Sequence, residues 1–99
     1  MNMQAMLRQA QAMQKDMMRA KEEIDKKDFV GENGLVKVTM KGSKVLTKIE
    51  IDKNIDLSSD ELDMLEDMLV VAVNDAMKKV DKMTEEKLGK YTRGMPGLY

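Results

Sequence analysis

The sequence lacks two residue types on which most catalytic and metal sites depend, because its 99 residues include no cysteine and no histidine. Their absence removes the commonest ligands of transition metals, the thiol nucleophile and the side chain that most often transfers protons near neutral pH. Ser43, Ser58 and Ser59 remain as hydroxyls, but a turn and a helix start account for them. We therefore expect no enzyme activity, no metal, no cofactor and no small-molecule substrate.

Aromatic residues and long apolar runs are also scarce. Phe29, Tyr91 and Tyr99 make up the aromatic 3% of the chain, too few for a platform on which unpaired bases stack. No apolar run approaches the roughly 20 residues that span a bilayer, and the first residues do not resemble a secretory signal. We expect one soluble, cytoplasmic domain over residues 1–99 with no membrane partner.

Methionine, by contrast, is abundant, with twelve residues, and several of them occupy a heptad pattern near the start of the chain. The apolar positions follow one another at spacings of three and four: Met3, Met6, Ala10, Met13, Met17, Ala20 and Ile24. This periodicity predicts a helix within residues 1–26, beginning at residue 3, whose narrow apolar seam needs a partner helix. We interpret the methionines as core and interface residues, the alternative being a Met-rich groove for peptides.

Residues 29–53 alternate in the manner of strands and predict a small antiparallel sheet of three. Val36, Val38 and Met40 fall on one face of the middle strand. In the next strand we expect Val45, Thr47, Ile49 and Ile51 on one face and Leu46, Lys48 and Glu50 on the other. Asn33-Gly34 is a hairpin signal, so a shorter strand over residues 29–32 should pair with one that begins at Leu35.

A second long helix is predicted over residues 58–89, followed by a tail over residues 90–99. Ser58 and Glu61 form a capping box at its start, and Gly89 is placed at its end. The fold class is therefore α+β, with the order α-β-β-β-α. A helix of roughly 45 Å outruns strands of about 20 Å, so we expect the overhanging seams to form a homodimer. The predicted dimer interface is Met6, Met13, Met17, Leu69, Val73, Ala76, Val80 and Met83.

Charge is segregated along the chain although the net charge is only -1. Residues 1–21, 33–53 and 76–93 each carry a net +3, whereas residues 56–75 carry -7. Basic helix ends suit the phosphate backbone of a duplex. The alternative is that these lysines only complement the helix dipole and solvate the surface.

Four segments of the chain resemble the YbaB/EbfC family of bacterial nucleoid-associated proteins, in order and at the family's spacing. They are residues 6–14 (MLRQAQAMQ), 34–40 (GLVKVTM) with Gly42, 65–76 (LEDMLVVAVNDA) and 94–98 (GMPGL). The resemblance implies a tweezer-like homodimer on the nucleoid that binds duplex DNA without catalysis, in gene-regulatory or DNA-repair pathways. In this family the projecting helices carry the DNA contacts. The resemblance therefore implies that DNA is contacted here by Arg8, Lys15, Arg19, Lys78, Lys82, Lys87 and Lys90.

A different class of function stays open at this point. The Met-rich helices and the acidic segment 56–75 would also suit a non-catalytic protein-protein interaction module, whose lysines serve only solubility.

Overall fold

A computed structural model describes residues 2–92 of the chain. The elements are α1 (Met3–Lys26), β1 (Asp28–Asn33), β2 (Val36–Lys41), β3 (Leu46–Ile51) and α2 (Ser59–Thr92). The strands form one antiparallel sheet in the order β1-β2-β3. This order confirms the predicted α+β fold. Residues 93–99 of the predicted tail lie outside the described residues.

Local hydrogen bonds define the ends of α1. The Asn2 side chain accepts a hydrogen bond of 3.0 Å from the Gln4 backbone N–H, which satisfies one free donor of the first turn. At the other end Lys27 adopts an extended conformation while its N–H donates to the Ile24 carbonyl at 3.0 Å. The helix therefore begins and ends where the heptad pattern predicts.

The hairpin between β1 and β2 turns one residue later than predicted. Asn33 pairs with Val36, and the turn consists of Gly34 and Leu35. Gly34 has a φ of 55°, whereas Leu35 has no positive φ. Glycine is favoured at the first central position of a two-residue turn in which only that position has a positive φ. Asn33 therefore remains in β1, and Leu35 belongs to the turn rather than to β2.

The sheet has one buried face, as predicted for β2, but β3 differs from its prediction. Val36, Val38 and Met40 are buried. A bulge lets Leu46 pair with Met40 while Lys48 pairs with Thr39, so Thr47 is the additional residue. Leu46 therefore shares the face of Met40. Its predicted place beside Lys48 was wrong, because strict alternation does not survive a bulge.

The helix α2 packs on the buried face, over β1 and β2 but not β3. The closest approach is at Gly31, where a Cβ would overlap the backbone of Ala72 and Ala76. The buried core consists of residues of α1, β1, β2 and α2, with none from β3: Ile24, Phe29, Val36, Val38, Met40, Leu65, Ala72, Ala76, Val80 and Leu88. The absence of a side chain at Gly31 thus sets the distance between helix and sheet.

At the start of α2 the Ser58 hydroxyl accepts a hydrogen bond of 3.4 Å from the Glu61 N–H. The other end of α2 corrects a prediction. The helix does not end at Gly89 but continues to Thr92. Gly89 has no positive φ, and the buried Leu88 and half-buried Tyr91 extend the apolar contact past it.

The two helices leave the sheet together and run antiparallel. Ile24 of α1 adjoins Val80 and Leu88 of α2, next to the β2–β3 turn, and Met17 packs on the same core nearer the start of α1. Residues 3–16 of α1, hereafter the arm, are all exposed. The molecule measures 71 × 21 × 14 Å, which agrees with the predicted overhang of the helices beyond the sheet.

Candidate nucleic-acid interface

Three predicted DNA-binding residues form a straight row on α1. Lys15 and Arg19 follow Arg8 by about two and about three helical turns, so the three side chains lie on one face over about 16 Å. All three are exposed. Met17 lies about two and a half turns from Arg8, on the opposite face. The row, hereafter the arm stripe, therefore points away from the contact between α1 and α2.

The surface around the arm stripe is suited to anions. Arg8 and Lys15 border a shallow groove on α1 whose other lining residues are Gln11, Ala12, Gln14 and Met18. Arginine, lysine and glutamine side chains are all hydrogen-bond donors. Within residues 2–92, none of the arm-stripe cations forms a salt bridge. Their full charge is available to an outside anion such as a phosphate.

The predicted basic residues of α2, Lys78, Lys82, Lys87 and Lys90, are exposed as well. In the described part of the chain these lysines have no salt bridge. The Lys90 ammonium lies 5.0 Å from the centre of the Tyr91 ring. Glu85 and Glu86 interrupt the row of lysines on this helix, and the net charge of residues 76–93 is +3, the same as that of residues 1–21.

Sequence reasoning missed three residues of this surface. Gln11 and Gln14 line the groove, and Lys26 follows Arg8 by about five full turns on an exposed position. The spacing 8, 15, 19 and 26 would have revealed Lys26. The glutamines carried no such signal, because an uncharged amide on a helix is ordinarily read as surface.

The structure divides the predicted dimer interface into three groups. Met6 and Met13 are exposed on the arm, whereas Met17, Leu69, Val73 and Met83 are half-buried. Ala76 and Val80 are 0% and 1% exposed. These two residues already pack between α2 and the sheet of their own chain, so their assignment to the dimer interface is corrected.

The acidic segment contains one carboxylate with a defined structural role. Asp75 accepts a hydrogen bond of 3.3 Å from the Glu32 N–H and pairs with Lys79 at 3.3 Å. The backbone N–H of Glu32, with the Lys79 ammonium, holds the pKa of the Asp75 carboxyl below its ordinary value. Asp75 thus serves the fold rather than a ligand.

Across residues 2–92, no cluster of acidic side chains could hold a metal ion. In the same range, neither helix has a stretch apolar enough to cross a membrane.

Comparison with known proteins decides the family. A family model described as the YbaB/EbfC DNA-binding family matches residues 1–95. The chain belongs to the YbaB/EbfC family. The resemblance noted in the sequence is thereby confirmed over nearly the whole chain.

Two similar proteins from other bacteria are named nucleoid-associated proteins. A protein of Enterococcus faecalis called a nucleoid-associated protein is 45% identical over 99 residues, covering 98% of this chain and 94% of that protein. Another so named, from Ligilactobacillus salivarius, is 43% identical and covers 99% and 95%. The crystal structure of the uncharacterized protein HP0035 from Helicobacter pylori is similar in fold, with a TM-score of 0.73, 20% identity and coverage of 95% and 99%.

Proposed function

We propose that this family member binds duplex DNA as a homodimer, mainly through phosphate contacts, and acts on the nucleoid in the cytoplasm. The observation that carries the proposal is the arm stripe, in which Arg8, Lys15 and Arg19 align on an exposed helix face without salt bridges among residues 2–92. Family membership and the names of the relatives support DNA as the anion.

Phosphates rather than bases are the proposed target. A duplex carries about one negative charge per 1.7 Å of axis, and cations that meet it release counterions. Flexible arginine and lysine side chains on an exposed helix position a protein on this backbone without reading sequence. The binding we expect is therefore strong at low salt and similar for unrelated duplexes.

Duplex is favoured over single strands because the described surface has little to stack on a base. Phe29 is buried in the core, and the half-buried Tyr91 lies beneath Lys90. Proteins that hold unpaired bases use exposed aromatic faces. We further propose that binding involves no catalysis and that its effect on gene expression or DNA repair follows from occupancy of the DNA.

The homodimer is supported by apolar surface that one chain leaves open. Met6 and Met13 on the arm are exposed, and Leu69, Val73 and Met83 are only half-buried. Apolar side chains at heptad spacing are the usual contacts between helices of two subunits. We propose that these five residues, with Met17, contact the second copy of the chain.

Titration of a labelled duplex over a range of salt tests the function. We expect the affinity to fall steeply with salt and to be similar for several unrelated sequences. Replacing Lys87 and Lys90 together by Glu should weaken binding to all of them about equally. Lys48→Glu is the control, because Lys48 lies on the sheet, paired with Glu50 at 3.3 Å. If only the control variant lost binding, the DNA-binding surface would be the sheet rather than the helix ends.

The exposed methionines favour a second candidate, a protein-protein interaction module. Met3, Met6 and Met13 offer adaptable apolar surface, while the acidic segment 56–75 offers charge. If the wild-type chain binds no duplex even at low salt, this second function replaces the first. Docking through methionines, unlike phosphate binding, would persist at high salt.

A further inference from the structure

The helix α2 packs on β1 so closely that its side chains reach past the outer edge of the sheet. At the closest point, a Cβ on Gly31 would overlap the backbone of Ala72 and Ala76. Asp75 and Lys79 each follow one of these alanines by three residues, so both lie on one flank of the helix. The close approach therefore brings a carboxylate and an ammonium to the edge of β1.

These two side chains bind backbone groups of β1 that point away from the sheet. The Lys79 ammonium donates a hydrogen bond of 2.7 Å to the Val30 carbonyl, and the Asp75 carboxylate accepts one of 3.3 Å from the Glu32 N–H. Because β1 is an edge strand, every second residue directs both its N–H and its carbonyl outward, and a further strand would need these groups for its ladder. The two side chains thus occupy the place of a neighbouring strand.

Lys79 holds both contacts together. Its ammonium also pairs with the Asp75 carboxylate at 3.3 Å, and the two side chains remain 51% and 39% exposed. Exposed ion pairs contribute little to stability. The structural consequence of this pair therefore lies in the backbone groups that it covers.

The outward residues of β1 are arranged so that a second copy of this strand would fit beside it. Asp28, Val30 and Glu32 alternate along β1, symmetrically about Val30. Two copies placed antiparallel about Val30 would match every outward donor with an outward acceptor. In that register the Asp28 carboxylate of each copy would face a Glu32 carboxylate, and like charges directly opposite each other are destabilising. The edge thus carries a second, weaker barrier against its own copy.

We propose that Asp75 and Lys79 form an autoinhibitory contact that prevents β1 from pairing with β1 of another copy. In the proposed homodimer each assembly has two β1 edges, and open edges would link dimers into a row without a natural end. The contact keeps the assembly finite. It does not depend on DNA and so goes beyond the proposed function.

Removal of the contact tests the proposal. We expect Asp75→Ala combined with Lys79→Ala to form species of at least twice the wild-type mass in sedimentation velocity, increasingly so with concentration. The matched control replaces Lys21 and Asp25 by Ala, an exposed pair of the same i,i+4 spacing at 4.0 Å that lies on α1. Far-UV circular dichroism verifies that both variants fold. A folded double variant that keeps the wild-type mass at every concentration, or a control that assembles equally, would overturn the proposal.

Two single substitutions of Lys79 separate the ammonium from the rest of the side chain. Lys79→Met retains a long apolar stem without a donor, whereas Lys79→Arg retains the positive charge and the donors. Both preserve helix propensity, so α2 itself is not at risk. We expect Lys79→Met to assemble like the double variant and Lys79→Arg to keep the wild-type mass. Equal masses for these two variants contradict the proposal.

The like charges on the edge supply a graded test. Adding Glu32→Gln to the double variant removes the repulsion with Asp28 but no backbone group, so we expect assembly at a several-fold lower concentration. If the triple variant assembles less readily than the double variant, another surface is pairing and the proposal is wrong.

Hydrogen exchange of the Glu32 amide locates the paired edge. Asp75 accepts a hydrogen bond from this amide in the wild type, so in dilute solution we expect its exchange to be about tenfold faster in the double variant. In the larger species the amide should be protected again, because a carbonyl of the second β1 accepts its hydrogen. Larger species in which this amide stays unprotected would refute pairing through β1.

These outcomes are separate from those of the proposed function. None of the measurements uses DNA, so a chain that binds no duplex leaves the contact on β1 unaffected. If the wild type is a monomer, the proposed homodimer is wrong, but the double variant should still at least double its mass.

Discussion

The sheet with α2 and the arm of α1 use their residues in opposite ways. In the sheet region Val38, Ala72 and Ala76 are 0% exposed, and two α2 side chains even occupy the β1 edge. In the arm, residues 3–16 are all exposed, and its cations Arg8 and Lys15 form no salt bridge within residues 2–92. The core therefore lies in one part of the chain and the proposed binding surface in another, and we expect that each can be altered without the other.

The largest expected effect is at the close contact between β1 and α2. Gly31→Ala would place a methyl group into the backbone of Ala72 and Ala76, so α2 would have to move off the sheet. Because backbone cannot yield as a side chain does, we expect a loss of about 3 kcal/mol or more in the free energy of unfolding, measured by urea denaturation.

Gly89→Ala is the matched control for this substitution. Nothing lies within 4 Å of a Cβ at Gly89, and alanine is the better helix former by about 0.5–1 kcal/mol. The same chemical change should therefore stabilise at Gly89 and destabilise at Gly31. Equal effects at the two positions would contradict the close approach at Gly31.

A pair of methionines extends the comparison to the arm. Met40 is 1% exposed in the core and Met6 is 51% exposed on the arm. Met40→Ala should lower the free energy of unfolding by about 2–5 kcal/mol, because it removes buried contacts and leaves a cavity. Met6→Ala should lower it by less than about 1 kcal/mol. Similar losses in thermal or urea unfolding would show that the arm, too, is part of the folding core.

The ion pair on the β1 edge should make stability depend on acid pH. The Glu32 N–H and the Lys79 ammonium lower the pKa of Asp75 in the folded state. Its contribution is therefore complete above the unfolded pKa and is lost as the pH falls through the lower folded pKa. Asp75→Asn should be less stable than wild type at neutral pH, and the difference should shrink as the pH falls below about 4. A difference that is constant with pH would refute this role of the carboxylate.

The smallest effect is expected at the turn before β3. Lys44 has a φ of 68°, a conformation that costs a side chain about 1 kcal/mol and glycine little. Lys44→Gly and Lys44→Ala both remove the exposed pair with Asp81, which contributes at most about 1 kcal/mol. The glycine variant should therefore be more stable than the alanine variant by about 1 kcal/mol in chemical denaturation. An alanine variant of equal stability would indicate an unstrained turn.

Periodicity predicted the helices, the strand order and the buried face of β2, because burial on one side imposes a repeat on the sequence. It did not predict the bulge that turns Leu46 to the face of Met40, since one additional residue leaves no trace in an alternating pattern. It also placed Ala76 and Val80 in the dimer interface. An apolar seam on a helix has the same periodicity whether the sheet of its own chain or a second chain covers it.

The candidate site divides in the same way. Exposed cations were found from charge and from the family resemblance. Composition does not show that these cations share one face of α1, or that Arg8 and Lys15 form a groove with Gln11 and Gln14. Both features required the structure. The closed edge of β1 was not predictable, because Lys79 and Asp75 contact Val30 and Glu32 across a long stretch of sequence.

The salt dependence of duplex binding by an arm-stripe variant tests the central claim most directly. Replacing Arg8, Lys15 and Arg19 by Ala should reduce the slope of log affinity against log salt by about 0.9 for every phosphate that the variant no longer neutralises, with thermal stability unchanged. The matched control replaces Lys37, Lys48 and Lys53, which are exposed on the sheet and the loop after it, and should keep the wild-type slope. A wild-type slope in the arm variant, or an equal reduction in the control, would contradict the assignment of DNA binding to the arm.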